Sequence, residues 1–269
     1  MKKPLIFGSG ASSFKDQEGL YSVCEIAISN DILCFDTAPS YGTEEVLSRC
    51  LLALVKEKGI SREDLTIQTK IDPIQMYNED VEKYFIQKLK SMGLEYIDVL
   101  LIHWPVYKYF RQTWDSMLNL KHAGLAKRIG ICNLRFAHLK ELESQGIVPE
   151  VLQIERHPLN TFEAERNFCV EHQIDLQDYS PLCKMHPLIR DNKVLKEMSR
   201  KYRKSVGNII LRWHLDTNAI PIFTSKKISR IEEYSEIEDF RLSSIDITYI
   251  NSLNINYKLY LESLVCPGF

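Results

Sequence analysis

Residues 32–51 (ILCFDTAPSYGTEEVLSRCL) combine an apolar run, a polar loop and the start of an amphipathic stretch. The run Ile32–Asp36 predicts a strand that is buried on both faces, as in a parallel sheet. Thr43 is a candidate N-cap, and the two glutamates after it carry the negative charge that favours the first turn of a helix. The segment therefore predicts a strand, a loop and a helix, with Asp36 at the strand end and Tyr41 in the loop.

The same alternation of short apolar strands and helical stretches continues along the chain. The predicted strands are Leu5–Gly8, Ile32–Asp36, Leu65–Lys70, Ile97–His103, Lys127–Cys132, Val151–Glu155, Ile174–Tyr179 and Ala219–Phe223. Apolar side chains at Val81, Phe85, Leu89 and Met92 have helical spacing, and Asn78 is placed to cap that helix.

Eight strand–helix units without a Pro-, Gly- or Ser-rich linker predict an α/β fold, a single (β/α)8 TIM barrel that spans residues 1–269. A doubly wound sheet with a small second domain is the alternative.

The composition narrows the class of protein. A net charge of −2 gives no electrostatic reason to expect binding to nucleic acid or to an anionic membrane. No stretch approaches the length of a membrane-spanning helix, and the first residues do not resemble a signal peptide. Seven cysteines without a CxxC pair and seven scattered histidines argue against a disulfide framework and a metal site. We therefore expect a cytoplasmic protein with reduced thiols and no bound metal.

Four ionisable or polar side chains fall at or just beyond the predicted carboxyl ends of strands two to four. Asp36 ends the second strand and is followed by Tyr41, Lys70 ends the third, and His103 ends the fourth. Each has a structural alternative, such as a cap, a lining residue, a solvated strand end or a hydrogen-bonded plug. Because active sites of barrel enzymes lie at the carboxyl ends of the strands, the four together predict a catalytic site.

The chemistry of these side chains is that of proton donation to an oxygen. A phenol with a pKa of roughly 10 is a weak acid near neutral pH. An ammonium about 4 Å away contributes about 4 kcal/mol at an effective dielectric constant near 20, so Lys70 is expected to lower the pKa of Tyr41 by up to roughly three units. Asp36 would hold Lys70, and His103 would orient a carbonyl oxygen. Since side chains cannot deliver hydride, a nicotinamide cofactor is implied.

From about Leu5 to Leu253 the chain resembles the aldo-keto reductase family. The segments that carry the resemblance are FDTAPSYGTEEVL (35–47), TK (69–70), LLIHWP (100–105), IGICNL (129–134), QIERHP (153–158) and DYSPL (178–182). By this resemblance the four side chains named above correspond to the family's catalytic tetrad, with Tyr41 as the general acid. Asn133 and Gln153 correspond to residues that hold the nicotinamide carboxamide, and Tyr179 to the aromatic residue that stacks on the nicotinamide ring.

The other end of the cofactor is expected near the loops after strands seven and eight, where barrels commonly bind phosphate. Backbone N–H groups at a helix start, together with Lys and Arg, suit an adenosine 2′-phosphate. The segment RIEEY (230–234) is similar to the family's R-I-x-E-N segment. The residues predicted to contact NADP(H) here are Ser180, Leu182, Ser225, Lys226, Arg230, Glu233 and Tyr234.

Several features depart from the family pattern. Cys132 stands where the family usually has Ser, and Tyr234 stands where it has Asn. The chain is expected to lack the N-terminal hairpin that plugs the barrel in many relatives, and its short loops suggest an open substrate site. The predicted substrate walls are Phe14, Trp104, Tyr107 and Phe110, for which packing of loop against barrel is the alternative.

The sequence thus predicts an NADP-dependent reductase that acts on the carbonyl of a small aldehyde, ketone or sugar, as a monomer or weak oligomer. Two other functions stay open. Lys70 could be the Schiff-base nucleophile of an aldolase or lyase. The barrel could instead be a non-catalytic nucleotide-binding subunit that reports redox state to a partner.

Overall fold

Eight parallel strands close into a barrel in which each strand pairs with its neighbour in sequence and the last pairs with the first. The computed structural model describes residues 4–10, 14, 17–78 and 80–261. The strands are β1 (Ile6–Gly8), β2 (Cys34–Asp36), β3 (Thr66–Ile71), β4 (Ile97–Ile102), β5 (Ala126–Cys132), β6 (Val151–Glu155), β7 (Asp175–Tyr179) and β8 (Ile220–Phe223).

Twelve α-helices lie in the part of the chain that the structure describes. They are α1 (Gln17–Ser29), α2 (Glu44–Lys58), α3 (Pro73–Asn78), α4 (Val81–Met92), α5 (Tyr107–His122), α6 (Phe136–Ser144), α7 (Glu163–Glu171), α8 (Pro187–Arg190), α9 (Lys193–Tyr202), α10 (Val206–Asp216), α11 (Ile228–Ser235) and α12 (Ser244–Ser252). Each strand is followed by one or more helices and the sheet is closed, so the predicted (β/α)8 barrel is confirmed. The pairing of β1 with β8 excludes the doubly wound sheet.

The start of α4 differs from the prediction in one respect. The four apolar side chains predicted to share a helical face are all buried on α4. However, Asn78 is the last residue of α3, and the N-cap of α4 is Asp80, whose carboxylate accepts a hydrogen bond from the Lys83 amide. The cap was misplaced because a separate short helix precedes α4.

The N-cap position predicted for α2 is confirmed, but the cap bond is absent. Thr43 precedes Glu44, the first residue of α2, without accepting a side-chain cap bond. Its hydroxyl instead contacts the Ser9 and Thr37 hydroxyls, at 2.8 and 3.1 Å. Thr43 therefore links the residues that directly follow β1 and β2.

The main hydrophobic core lies between the barrel and its helices. Phe7 on β1 contacts the rings of Phe14, Phe35 and Phe223, with centroids 5.7 to 6.2 Å apart. A second apolar cluster, which includes Trp213, lies among α8, α9, α10 and α12. Leu182, in the loop after β7, packs against both clusters and so joins the two parts of the interior.

The parallel direction of the strands brings their carboxyl ends to one rim. Asp36 and Tyr179 are the last residues of β2 and β7, Lys70 is next to last on β3, and His103 and Asn133 follow β4 and β5 directly. In the described part of the chain, no helix is long and apolar enough to cross a membrane, and no group of three or more potential metal ligands is found.

Candidate active site

Asp36 and Lys70 form a buried ion pair just inside the rim. Lys70 Nζ lies 2.9 and 2.8 Å from the two carboxylate oxygens of Asp36 and donates a further hydrogen bond, 2.9 Å long, to the Thr37 carbonyl. The side chains are 0% and 5% exposed. Burial lowers the pKa of Lys70, but the adjacent Asp36 carboxylate outweighs this effect, so the pKa is raised and the amine stays protonated.

Glutamine amides inside the barrel complete the environment of Asp36. Gln68 Nε2 and Gln153 Nε2 donate to Asp36 Oδ2 over 2.7 and 3.1 Å. Both amides also donate to Gln177 Oε1, and Gln177 donates back to Gln68 Oε1. The carboxylate therefore has both a countercharge and amide donors, which a buried charge requires.

Tyr41 ends the short 3-10 helix Pro39–Tyr41 that follows β2. Gly42, directly after it, has a φ of 67°, in the left-handed region that favours glycine, so the chain turns sharply at this point. Lys70 Nζ lies 4.8 Å from the centroid of the Tyr41 ring, and the His103 ring meets that ring edge-on with centroids 5.6 Å apart. All four side chains of the predicted catalytic set therefore lie together.

The pKa of Tyr41 differs from the expectation. Burial raises the pKa of the phenol and the Asp36 carboxylate adds to this rise, while Lys70 lowers it without reversing the direction. The expectation of a lowered pKa is wrong for this structure because the rise caused by burial, to which Asp36 adds, exceeds the lowering caused by Lys70. Tyr41 stays protonated at neutral pH, which is the state that a proton donor needs.

His103 is held by contacts to its ring and to its backbone. Its Nδ1 contacts Oδ1 of Asp72, and its carbonyl accepts a 2.8 Å hydrogen bond from Asn133 Nδ2. The Tyr179 hydroxyl in turn donates to Asn133 Oδ1 over 2.8 Å. Burial lowers the pKa of His103; the bond to Asp72 opposes this effect, Lys70 adds to it, and the pKa is lowered.

A cavity of about 690 Å³ opens above these side chains, within the size range typical of small-molecule sites. It extends from Asp36 and Tyr41 at the rim to Arg230 on α11. Its lining residues are Gly8, Gly10, Asp36, Tyr41, His103, Trp104, Asn133, Gln153, Tyr179, Ser180, Pro181, Leu182, Lys184, Met185, Ile222, Phe223, Thr224, Arg230 and Tyr260.

Six of the ten side chains predicted to contact the cofactor line this cavity. They are Asn133, Gln153, Tyr179, Ser180, Leu182 and Arg230. The other four do not. Ser225 is buried and accepts a hydrogen bond from the Lys227 amide, while Lys226 is exposed and Glu233 is half-buried.

Tyr234 is the fourth of the predicted cofactor contacts that do not line the cavity. Its ring packs edge-on against Phe223 with centroids 5.5 Å apart and is 7% exposed. A Cβ at Gly207 would lie 2.9 Å from its hydroxyl, so the ring fills a close gap against α10. Tyr234, predicted to contact NADP(H), therefore packs against Phe223 and α10 in this structure.

The predicted substrate walls need a similar correction. Trp104 lines the cavity. Phe14 is 1% exposed and belongs to the main core, and Phe110 is buried against Trp114 on α5. Tyr107, at the start of α5, is 68% exposed and does not line the cavity. Aromatic residues of a core and of a binding site look alike in sequence, and of these four only Trp104 lines the cavity, whereas Phe14 and Phe110 are core residues and Tyr107 is exposed.

The segment after α12, residues 254–260, contributes a cavity wall that the sequence did not indicate. Glu155 accepts hydrogen bonds from the amides of Leu259 and Tyr260, 2.7 and 3.0 Å long, one on each oxygen. The Tyr260 ring then lies beside Tyr179, with centroids 6.0 Å apart, and 5.0 Å from Lys184 Nζ. A strand-end carboxylate that binds a distant backbone leaves no local sequence pattern, which is why this wall was missed.

Comparisons with known proteins agree with this geometry. The model of the Aldo/keto reductase family matches residues 4–255. Glyoxal reductase of Bacillus subtilis (strain 168) is 34% identical over 249 residues, which cover 92% of this chain and 88% of the relative. Methylglyoxal reductase DkgA of Escherichia coli (strain K12) is 34% identical over 230 residues, covering 83% and 80% of the two chains.

A solved structure is similar over nearly the whole chain. The crystal structure of a Bombyx mori aldo-keto reductase in complex with NADP superposes with a TM-score of 0.88 at 28% identity, covering 96% of this chain and 91% of that one.

Proposed function

The chain belongs to the aldo/keto reductase family and is an oxidoreductase, and we propose that it uses NADP(H) to reduce the carbonyl of a small aldehyde, ketone or sugar, with Tyr41 as the general acid. The relatives named for glyoxal and methylglyoxal make these two dicarbonyl compounds the first substrates to test.

The observation that carries the proposal is the cluster of Asp36, Tyr41, Lys70 and His103 at the base of the cavity. The Tyr41 ring lies against both Lys70 and His103, so an oxygen that reaches the phenol also reaches the imidazole. Reduction turns a carbonyl oxygen into an alkoxide, which is a stronger base than a phenolate and takes the Tyr41 proton even though the pKa of the phenol is raised. The Lys70 ammonium stabilises the tyrosinate that remains.

The cavity suits a nicotinamide dinucleotide by the chemistry of its lining. Asn133 and Gln153 offer amide groups at the inner end, Tyr179 offers a ring, and Arg230 offers a guanidinium at the outer end. We assign the carboxamide to the two amides, the nicotinamide ring to Tyr179 and the adenosine 2′-phosphate to Arg230, with Ser180 and Leu182 along the path between them. The reduced nicotinamide, when bound, supplies the hydride.

The two alternative functions receive less support. A Schiff base requires a neutral amine at Lys70, whereas Asp36 raises the pKa of that amine and three acceptor oxygens surround it. A silent redox sensor does not require a proton donor, yet Tyr41 and His103 both face the cavity. Borohydride trapping of a substrate adduct on Lys70 would favour the aldolase or lyase. Tight NADPH binding without turnover would favour the redox sensor.

The test is a comparison of wild-type protein with Tyr41→Phe. Wild type is expected to consume NADPH in the presence of methylglyoxal or glyoxal, followed by loss of nicotinamide absorbance. Tyr41→Phe is expected to lose about 10²-fold or more in kcat, in keeping with the usual contribution of a general acid, while the Kd for NADPH is unchanged. A variant that turns over normally would remove Tyr41 from the mechanism.

A further inference from the structure

Asp72 lies just beyond β3 and contacts two parts of the proposed catalytic site. Its Oδ1 contacts Nδ1 of His103, and its Oδ2 accepts a 2.8 Å hydrogen bond from the backbone amide of Ser40. Ser40 directly precedes Tyr41 in the 3-10 helix. One carboxylate therefore joins the end of β3 to His103 and to the turn that carries Tyr41.

Asp72 is itself held firmly. Its amide donates to Gln75 Oε1 over 3.1 Å, and its carbonyl accepts from the amides of Gln75 and Met76 at the start of α3. The residue is 6% exposed. Its position is therefore set by α3 and not by solvent.

The contact determines which nitrogen of His103 carries the proton. Burial raises the pKa of Asp72, but its bonds to His103 and Ser40 outweigh this effect, so the pKa is lowered and the carboxylate is charged at neutral pH. A carboxylate only accepts hydrogen bonds, so Nδ1 of His103 must carry a hydrogen. In the neutral ring, Nε2 then holds a lone pair and cannot donate to a carbonyl oxygen.

We propose that Asp72 is a positioning residue that fixes the Nδ1–H form of His103, so that Nε2 donates a hydrogen bond to the substrate carbonyl only when the ring is protonated. This inference rests on the proposed reductase function. The Nδ1–H form of His103 makes carbonyl reduction faster at low pH, where the ring is protonated. This effect is separate from the proton that Tyr41 supplies.

The groups around His103 act in opposite directions on its protonation, so we expect the ring to change charge during a pH titration. Asp72 and Asp36 favour the protonated ring, whereas burial and the Lys70 ammonium disfavour it. The Tyr41 and Trp104 rings cover it, with centroids 5.6 and 6.2 Å from its own. Because the pKa of His103 lies below its ordinary value of 6.5, kcat/KM is expected to fall as pH rises through that lowered pKa.

The variant Asp72→Asn tests the assignment directly. An asparagine can accept from the Ser40 amide through its oxygen and donate to His103 Nδ1 through its NH2 group, so both contacts persist and the fold is retained. The neutral imidazole then carries its hydrogen on Nε2 and donates to the carbonyl at any pH. The limb of the pH profile that falls by about tenfold per pH unit in the wild type is therefore expected to disappear in Asp72→Asn.

Asp80→Asn is the matched control, since Asp80 is a nearby helix cap that does not line the cavity. It should keep the wild-type pH profile. If Asp72→Asn keeps that limb unchanged, or merely lowers the rate equally at every pH, Asp72 is only a structural residue and the inference is overturned.

Nitrogen NMR of isotope-labelled histidine provides a readout that does not need turnover. In wild-type protein at neutral pH, His103 is expected to be protonated at Nδ1, and in Asp72→Asn at Nε2. A wild-type protein that reduces no carbonyl but shows Nδ1–H at His103 would overturn the proposed function and not the assignment of Asp72. A wild-type His103 protonated at Nε2 alone would overturn that assignment, whether or not the protein is a reductase.

Discussion

The side chain of Asp36 shows how a charge is kept inside this barrel. Its oxygens accept from one ammonium and two amides, all from strands β3 and β6. Breaking a buried ion pair of this kind costs about 3–5 kcal/mol because a charge is left unpaired. Lys70 therefore stabilises the fold as well as influencing Tyr41. The stability of any Lys70 variant has to be measured together with its activity, because unfolding alone would also reduce activity.

Residue types at strand ends were sufficient to predict that Asp36, Tyr41, Lys70 and His103 lie together, because parallel strands bring their carboxyl ends to one rim. The direction of the Tyr41 pKa was not predictable in the same way. It depends first on how deeply the phenol is buried and then on the opposing charges of Lys70 and Asp36, which only the folded chain brings together. Asp72 was missed because it acts through another side chain and carries no motif of its own.

The preference for NADPH over NADH is predicted to depend on a single residue, Arg230. Arg230 lines the outer end of the cavity, whereas Lys227, the N-cap residue of α11, is exposed and does not line it. A charge-assisted bond to phosphate contributes about 1.5–3 kcal/mol, or roughly 10- to 150-fold in affinity at 1.4 kcal/mol per decade. Arg230→Ala is expected to raise the Kd for NADPH by that factor and to leave the Kd for NADH nearly unchanged, as measured by fluorescence titration.

Lys227→Ala is the control for that experiment, because it removes a neighbouring cation outside the cavity. It should change neither Kd by a comparable factor. Equal losses of NADPH and NADH binding in Arg230→Ala would contradict the assignment of the 2′-phosphate to Arg230.

At the scale of elements, α9 and α12 are joined by one carboxylate. Asp246, in the first turn of α12, accepts from Lys201 Nζ over 2.6 Å, from the Tyr202 hydroxyl and from the Ser243 hydroxyl. Burial raises the pKa of Asp246, but these three bonds outweigh it and lower the pKa from 3.8 to about 2. The Asp246 side chain is 12% exposed, but Lys201 is 54% exposed, so solvent screens part of this ion pair.

The pH dependence of stability follows from that pKa. A carboxylate whose folded pKa is lowered stabilises the fold at pH values above its unfolded pKa, and this stabilisation is lost as pH falls toward the folded value. After allowance for solvent screening of Lys201, Asp246→Asn is expected to lower the free energy of unfolding by about 1–2 kcal/mol near neutral pH. Urea unfolding should show that this difference is constant above about pH 5 and shrinks as pH falls below about 4.

Asp239→Asn is the matched control for the contacts that Asp246 makes with Lys201, Tyr202 and Ser243, here called the Asp246 clamp. Asp239 pairs with Lys204 over 2.6 Å but is 54% exposed, and exposed pairs contribute about 0–1 kcal/mol. A destabilisation by Asp246→Asn that is no larger than that of Asp239→Asn, or that persists unchanged at low pH, would show that the clamp does not carry the predicted charge effect.

At the scale of the whole molecule, strand–helix alternation was enough to predict the barrel, since all eight predicted strands overlap the observed ones. The pattern did not predict how the last part of the chain packs. The apolar cluster around Trp213 and the attachment of residues 254–260 to Glu155 are long-range contacts between segments with no periodicity in common. Close strand contacts are also invisible in a pattern: a Cβ at Gly130 would lie 2.2 Å from the Val151 carbonyl oxygen, so β5 approaches β6 through a glycine.

The last prediction concerns the cooperativity of the barrel and its response to NADPH. The closed ring of strands and the packing of Leu182 against both apolar clusters predict one unfolding transition for the chain. Trp104, Trp114 and Trp213 report from the cavity, from α5 and from the second cluster, so fluorescence and circular dichroism should give the same Tm. A ligand at 100 times its Kd stabilises the folded protein by about 2.7 kcal/mol. Each kcal/mol raises the Tm by about 2–4 °C in chains of roughly this size. NADPH is thus expected to raise the Tm by roughly 5–10 °C in a single step, and inorganic phosphate at the same concentration should not. Two separate transitions, of which NADPH shifts only one, would show that the α8–α12 region folds independently of the barrel.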